Sequence, residues 1–206
     1  MIRKIAIAFA LCLALALAVG AIWLDRWIDE TEIPPLTLGT GVEVLDRDGN
    51  LLRAYTVENG RWRLPVSYDA VDPGYIDMLV AYEDRRFWTH PGIDLRAFVR
   101  AAWQRVTTGR VISGGSTLTM QVARLLEESG TGEWGGKIRQ IRLALALERR
   151  LTKEEILTLY LHLAPYGGNI EGVRAATLTW FGSEPHRLTA AQSALLVALP
   201  QAPASR

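Results

Sequence analysis

Two adjacent acids, Glu83 and Asp84, head the stretch of this chain with the densest chemical potential. Arg85, Arg86, Phe87, Trp88 and His90-Pro91-Gly92 follow them. A carboxylate set among aromatic side chains holds its proton more tightly, which suits it to general base or acid work. A surface acid pair answered by the neighbouring arginines fits the same residues. Gly114-Gly115-Ser116-Thr117 is a second candidate. Free backbone N–H groups at a helix start, with two hydroxyls, suit an anion such as phosphate. An ordinary glycine turn with Ser116 as cap is the alternative. It is not a nucleotide P-loop, because no Gly-Lys-Ser/Thr follows. Arg124, Lys137, Arg139 and Arg142 form a third set. They could neutralise a diphosphate, or they could be solvated helix faces. Nothing orders a Ser with a His, and no Ser-x-x-Lys occurs, so there is no case for a Ser/His/Asp triad.

These groups need a scaffold, and the composition allows one. Hydrophobic residues make up 49% and charged residues 22% of 206 residues, which excludes a fully disordered chain. One cysteine, Cys12, excludes a disulfide framework and a Cys-based zinc site. His90, His162 and His186 lack ligand spacing, so no metal ligands are assigned. A net charge of +1 gives no basic field for nucleic acid. The basic residues are nearly all Arg, the better bidentate partner for phosphate, although codon bias gives the same excess.

Residues 5–24 are an unbroken apolar run that spans roughly 30 Å as a helix, the depth of a bilayer core. Arg3 and Lys4 precede it and Asp25, Asp29, Glu30 and Glu32 follow. The positive-inside rule then places residues 1–4 as a cytoplasmic tip and the rest outside, with Trp23 and Trp27 at the interface. An uncleaved anchor is the reading taken; a cleaved signal peptide ending near Ala16-Leu17-Ala18 is the rival. Either way residues 30–206 are exported.

Residues 25–40 read as a linker stiffened by Pro34-Pro35. Residues 41–66 read as a small β element, with Asp48-Gly49-Asn50 as a hairpin turn. Beyond Val71 the signals are helical. Asp94 is a plausible cap for a helix whose apolar positions Leu95, Phe98, Val99, Ala102 and Val106 share one face. Further helices are expected from Ser116, from Lys137 to Arg150, and over 171–180. Thr152 to Glu155 and Thr189 to Gln192 are capping boxes that open two more.

In order, these pieces resemble the peptidoglycan glycosyltransferase domain of class A penicillin-binding proteins. EDRRFWTHPGID (83–94), GGSTLTMQVAR (114–124) and KIRQIRLALALERRLTKEEILTLYL (137–161) are similar to its first three motifs. Residues 167–182 and 188–205 are similar to the last two. GGKIRQ and Met120 are closest to the penicillin-binding protein 1C branch. The resemblance implies a mainly α, lysozyme-like domain over 67–206, behind the β element and one N-terminal transmembrane helix. A transpeptidase domain, which bifunctional members carry next, is expected to be absent from this chain.

The resemblance also implies an activity: polymerisation of lipid II into glycan strands, with inversion and release of undecaprenyl diphosphate. The implied site has Glu83 as catalytic base. Substrate and diphosphate would meet Asp84, Phe87, His90, Gly115, Ser116, Thr117, Gln121, Arg124, Lys137 and Gln140. The implied cofactor is Mg²⁺ or another divalent cation, bound through the substrate diphosphate. The implied partners are lipid II, the growing strand on undecaprenyl diphosphate, the membrane and other cell-wall synthesis proteins. The implied place is the bacterial cytoplasmic membrane, single-pass, with the domain on the periplasmic or extracellular side. Gln140 stands where the family usually has a second Glu, Arg124 where it has Lys, and His162 where it has Asn. Two rivals follow: an impaired lipid II-binding scaffold, motivated by Gln140, and a glycan-cleaving lytic transglycosylase.

Overall fold

The computed structural model describes residues 1–109, 115–127 and 134–201. Its helices are α1 (Ile2–Asp29), α2 (Pro73–Glu83), α3 (Leu95–Thr108), α4 (Leu118–Leu126), α5 (Trp134–Arg150), α6 (Lys153–Leu163), α7 (Val173–Phe181) and α8 (Ala190–Ala198). The strands are β1 (Glu43–Leu45), β2 (Leu51–Ala54), β3 (Trp62–Arg63) and β4 (Ile170–Glu171). The mainly helical class expected from sequence is therefore the one observed.

The side chains of α1 between residues 5 and 24 stand exposed, Phe9 and Leu17 among them. A continuous apolar cylinder of this length is long enough to cross a membrane. The helix continues to Asp29, past the apolar run, because its last turns dock on α5. The Arg142 guanidinium lies 5.0 Å from the Trp27 ring centre, and its Nε donates to the Trp27 carbonyl at 2.7 Å. Arg149 pairs with Asp25 and Asp29. Arg142, one of the cations considered for a diphosphate, thus serves the anchor.

The segment after α1 is less free than its prolines suggest: Ile33, Leu36 and Leu38 pack on the core. β1 and β2 pair antiparallel around a turn in which Asp46 accepts from Asp48 N–H, Asn50 N–H and the Asn50 amide. Gly49 there has φ +84°, a conformation that favours glycine. β3 pairs parallel with the distant β4, and Glu171 receives Arg61 and Arg63 there.

The core lies among α2, α4, α5, α6 and α8, where Tyr75, Leu79, Leu118, Val122, Leu147, Leu157 and Leu196 are buried. α4 packs on α5 and α6, and α2 on α8. Caps set where the helices begin. Asp72 accepts from Gly74 N–H at 2.8 Å with Pro73 at the first turn, and both Thr152 and Thr189 form full capping boxes.

α3 departs from expectation. Asp94 caps it through Ala97 N–H at 2.8 Å, as its position suggests. The apolar positions are turned outward, however: Leu95, Phe98, Val99, Trp103 and Val106 are all exposed, and Ala97 and Ala101 face inward. Gly115 lies against this inward face: a Cβ there would sit 3.5 Å from the Phe98 Cα and 3.6 Å from the Ala101 Cβ, ordinary van der Waals contact.

Candidate active site

Glu83 is the last residue of α2, where the helix gives way to the loop over 84–94. Its carboxylate is half-buried. Oε2 accepts from Gln121 Nε2 of α4 at 2.8 Å, and Oε1 accepts from Gln201 Nε2. Burial pushes the Glu83 proton affinity up, and the Asp84 charge adds to this. The two amide donors and the Arg124 charge oppose the shift without cancelling it. The outcome is a carboxylate poised above the ordinary range, as a general base at neutral pH requires.

Asp84, one residue on, is almost completely buried. Its Oδ2 accepts from Leu118 N–H at 3.0 Å and meets His90 Nε2 at 2.8 Å. His90 Nδ1 accepts from Gly92 N–H at 3.1 Å, so Nε2 is the nitrogen that carries the proton and donates to Asp84. Both ring nitrogens are thereby spent inside the loop. Gly92, at φ +95°, passes so close to α5 that a Cβ would lie 2.8 Å from the Ala144 carbonyl oxygen.

Thr117 caps α4: its Oγ1 accepts from Met120 N–H at 3.1 Å and donates to the Gly92 carbonyl at 2.6 Å. Ser116, the cap under the alternative reading of this turn, does not cap the helix. Instead its hydroxyl is half-exposed and accepts from Lys137 Nζ at 2.6 Å. Lys137 loses proton affinity through burial and the nearby Arg124 charge. An anion placed there would meet two cations and a hydroxyl, and would relieve their mutual repulsion.

The structure therefore sorts the sequence candidates into two groups. Glu83, Gln121, Ser116, Arg124 and Lys137 are part-exposed. Asp84, Phe87, His90, Thr117 and Gln140 are buried beside or behind them. Gly115 packs on α3, and Gly114 lies outside the described residues. Phe87 is fully buried, with Lys153 Nζ 4.5 Å from its ring centre.

Sequence reasoning passed over Lys153, Glu148 and Thr119. Lys153 Nζ donates to the His90 carbonyl and to Glu148, both at 2.7 Å, and Thr119 Oγ1 donates to the same Glu148 oxygen at 2.6 Å. This part-buried post ties the 84–94 loop to α4, α5 and α6. Tyr75 and Tyr166, whose hydroxyls are 2.8 Å apart, and Tyr160 fill the core beneath, and burial raises the proton affinity of all three.

Among the described residues no group of three His, Cys, Asp or Glu side chains is placed to hold a metal ion. Asp84 Oδ2 already accepts from Leu118 N–H and meets His90, and position 140 carries the neutral Gln140.

Residues 48–206 match the family model described as Transglycosylase. The chain is 51% identical over 160 residues to penicillin-binding protein 1C of Escherichia coli, covering 78% of this chain and 21% of that protein. It is 40% identical over 162 residues to penicillin-binding protein 1A of Aquifex aeolicus, covering 79% and 22%. It is 34% identical over 202 residues to penicillin-binding protein 1A of Escherichia coli, covering 95% and 23%. The chain spans between a fifth and a quarter of the length of these relatives.

Proposed function

The chain belongs to the transglycosylase family, and on that premise we propose that it polymerises lipid II into glycan strands. Glu83 carries the reading: a half-buried carboxylate with raised proton affinity that feels the Arg124 charge, which in turn acts on Lys137 and its Ser116 contact. A sugar hydroxyl is a poor nucleophile at neutral pH. Glu83 takes the proton of the acceptor's 4-hydroxyl while the oxygen attacks the anomeric carbon of the donor strand. The bond from that carbon to the diphosphate oxygen breaks on the opposite side, so configuration inverts. Charge grows on the departing undecaprenyl diphosphate, where Lys137, Arg124 and the Ser116 hydroxyl stabilise it.

A divalent cation such as Mg²⁺ enters this reading only as a counter-ion carried by the substrate diphosphate, and no step is assigned to it. Both substrates are lipid-linked, which fits an anchored enzyme. α1 crosses the cytoplasmic membrane once, and the outward apolar face of α3 dips into the outer leaflet beside the site. Cell-wall synthesis proteins are the natural partners. The family match favours neither the glycan-cleaving alternative nor the scaffold alternative.

The test is polymerisation of labelled lipid II by the detergent-solubilised chain with Mg²⁺, beside Glu83→Gln. Strands from the wild type alone support the reading. Lipid II bound but unpolymerised by both would replace it with the scaffold reading.

A further inference from the structure

The short 3₁₀ turn Leu199–Gln201 follows α8 directly. Pro200 is buried and Leu199 packs against the core, so the backbone of this turn is fixed. The Gln201 side chain is exposed, yet it reaches across 118 residues of sequence to the Glu83 carboxylate. α8 packs on α2, the helix that ends in Glu83, so the two partners belong to one packed unit.

The two amides hold the carboxylate differently. Gln121 comes from the α4 side and takes Oε2; Gln201 comes from the solvent side and takes Oε1. A carboxylate oxygen has two acceptor sites, so each oxygen retains one after its amide contact. The Oε1 contact is the more exposed of the two, so the acceptor site left on Oε1 is the one more open to solvent.

We propose that Gln201 is a positioning residue, which orients Glu83 so that Oε1 is the oxygen that removes the acceptor proton. The inference rests on the glycosyltransferase reading. Gln201 touches no reacting atom itself. It fixes the carboxylate rotamer and, as a donor, favours the ionised form. The other charged or titratable groups facing Glu83 are Asp84 beside it, Tyr75 on α2, Arg124 on α4 and Tyr160 on α6. None of them belongs to α8 or its following turn, so Gln201 is the contribution of that element.

The experiment compares wild type, Gln201→Ala and Gln201→Glu. It reads kcat/KM against pH for lipid II polymerisation, and the Glu83 titration by carboxyl carbon NMR on the detergent-solubilised chain. Loss of the donor in Gln201→Ala should move the acidic limb and the NMR midpoint up together, by about half a unit or more. Gln201→Glu, which sets a second carboxylate beside Glu83, should move both further. Rates that fall equally at all pH values with an unmoved midpoint would overturn the proposal. If the wild type makes no polymer, the parent reading fails, and an unmoved NMR midpoint in both variants still refutes the contact.

Discussion

Glu83 and Asp84 are the same kind of group one peptide bond apart, and the fold treats them in opposite ways. Asp84 is sealed into a wall with His90, Thr117, Glu148 and Lys153, where backbone N–H groups or charged partners use its capacity. Glu83 stands on the open side, held by two side-chain amides and within reach of the Arg124 charge. The wall fixes where the loop runs; the open side keeps a carboxylate free to exchange a proton. Rigidity and reactivity are thus divided between neighbours, so substitutions on the two sides should fail in different ways.

The largest expected effect is on the open side. Glu83→Gln keeps the shape and one acceptor oxygen for the two amide donors, but cannot take a proton. Initial rates of lipid II polymerisation should fall about 10²- to 10⁴-fold, with a thermal melt no lower than that of the wild type. Rate loss tracking loss of fold would break the contrast.

On the wall the order reverses. Asp84→Ala leaves Leu118 N–H and the His90 ring without their acceptor in a buried place, which costs about 2–3 kcal/mol. Chemical denaturation of the purified chain checks this, and a stable but inactive variant would move Asp84 to the reactive side. Thr117→Val removes the α4 cap and the bond to Gly92 together, for about 1–2 kcal/mol. An unchanged denaturation midpoint would show that the cap is dispensable.

The wall and the open side were not equally legible in the sequence. Capping boxes, the hairpin turn and the membrane-length run are local signals, and the helices begin where they point. Glu83 and Lys137 follow from motif types in order, and in the structure each feels the Arg124 charge. Of the wall, Asp84, His90 and Thr117 were legible as motif residues, but their long-range ties were not: Lys153 reaches His90 across 63 residues, and on the open side Gln201 reaches Glu83 across 118. No periodicity marks such contacts. α3 misled for another reason. Apolar spacing finds a face, but it does not say whether protein or lipid covers it, and here the smaller Ala97 and Ala101 face the core.

The smallest expected effect is the most specific to the contrast. Burial raises the Glu83 proton affinity in the fold above its ordinary value, whose midpoint is 4.5. Between that value and the higher folded one, the folded state binds more protons than the unfolded state, so Glu83 lowers stability as pH rises through the window. Above the window the cost is complete, and below pH 4.5 it is gone. Glu83→Gln removes a charge that the fold tolerates at a cost, so the variant should melt higher than the wild type at pH 7.5. Because the carboxylate is only half-buried, solvent screening keeps the gain to about 1–2 °C. The gap should close as pH is lowered towards 4.5. A Glu83→Gln chain that melts lower than the wild type at pH 7.5, with the gap shrinking on acidification, would mean that the ionised carboxylate stabilises the fold. Glu83 would then belong to the wall, and the division of labour between the two acids would be lost.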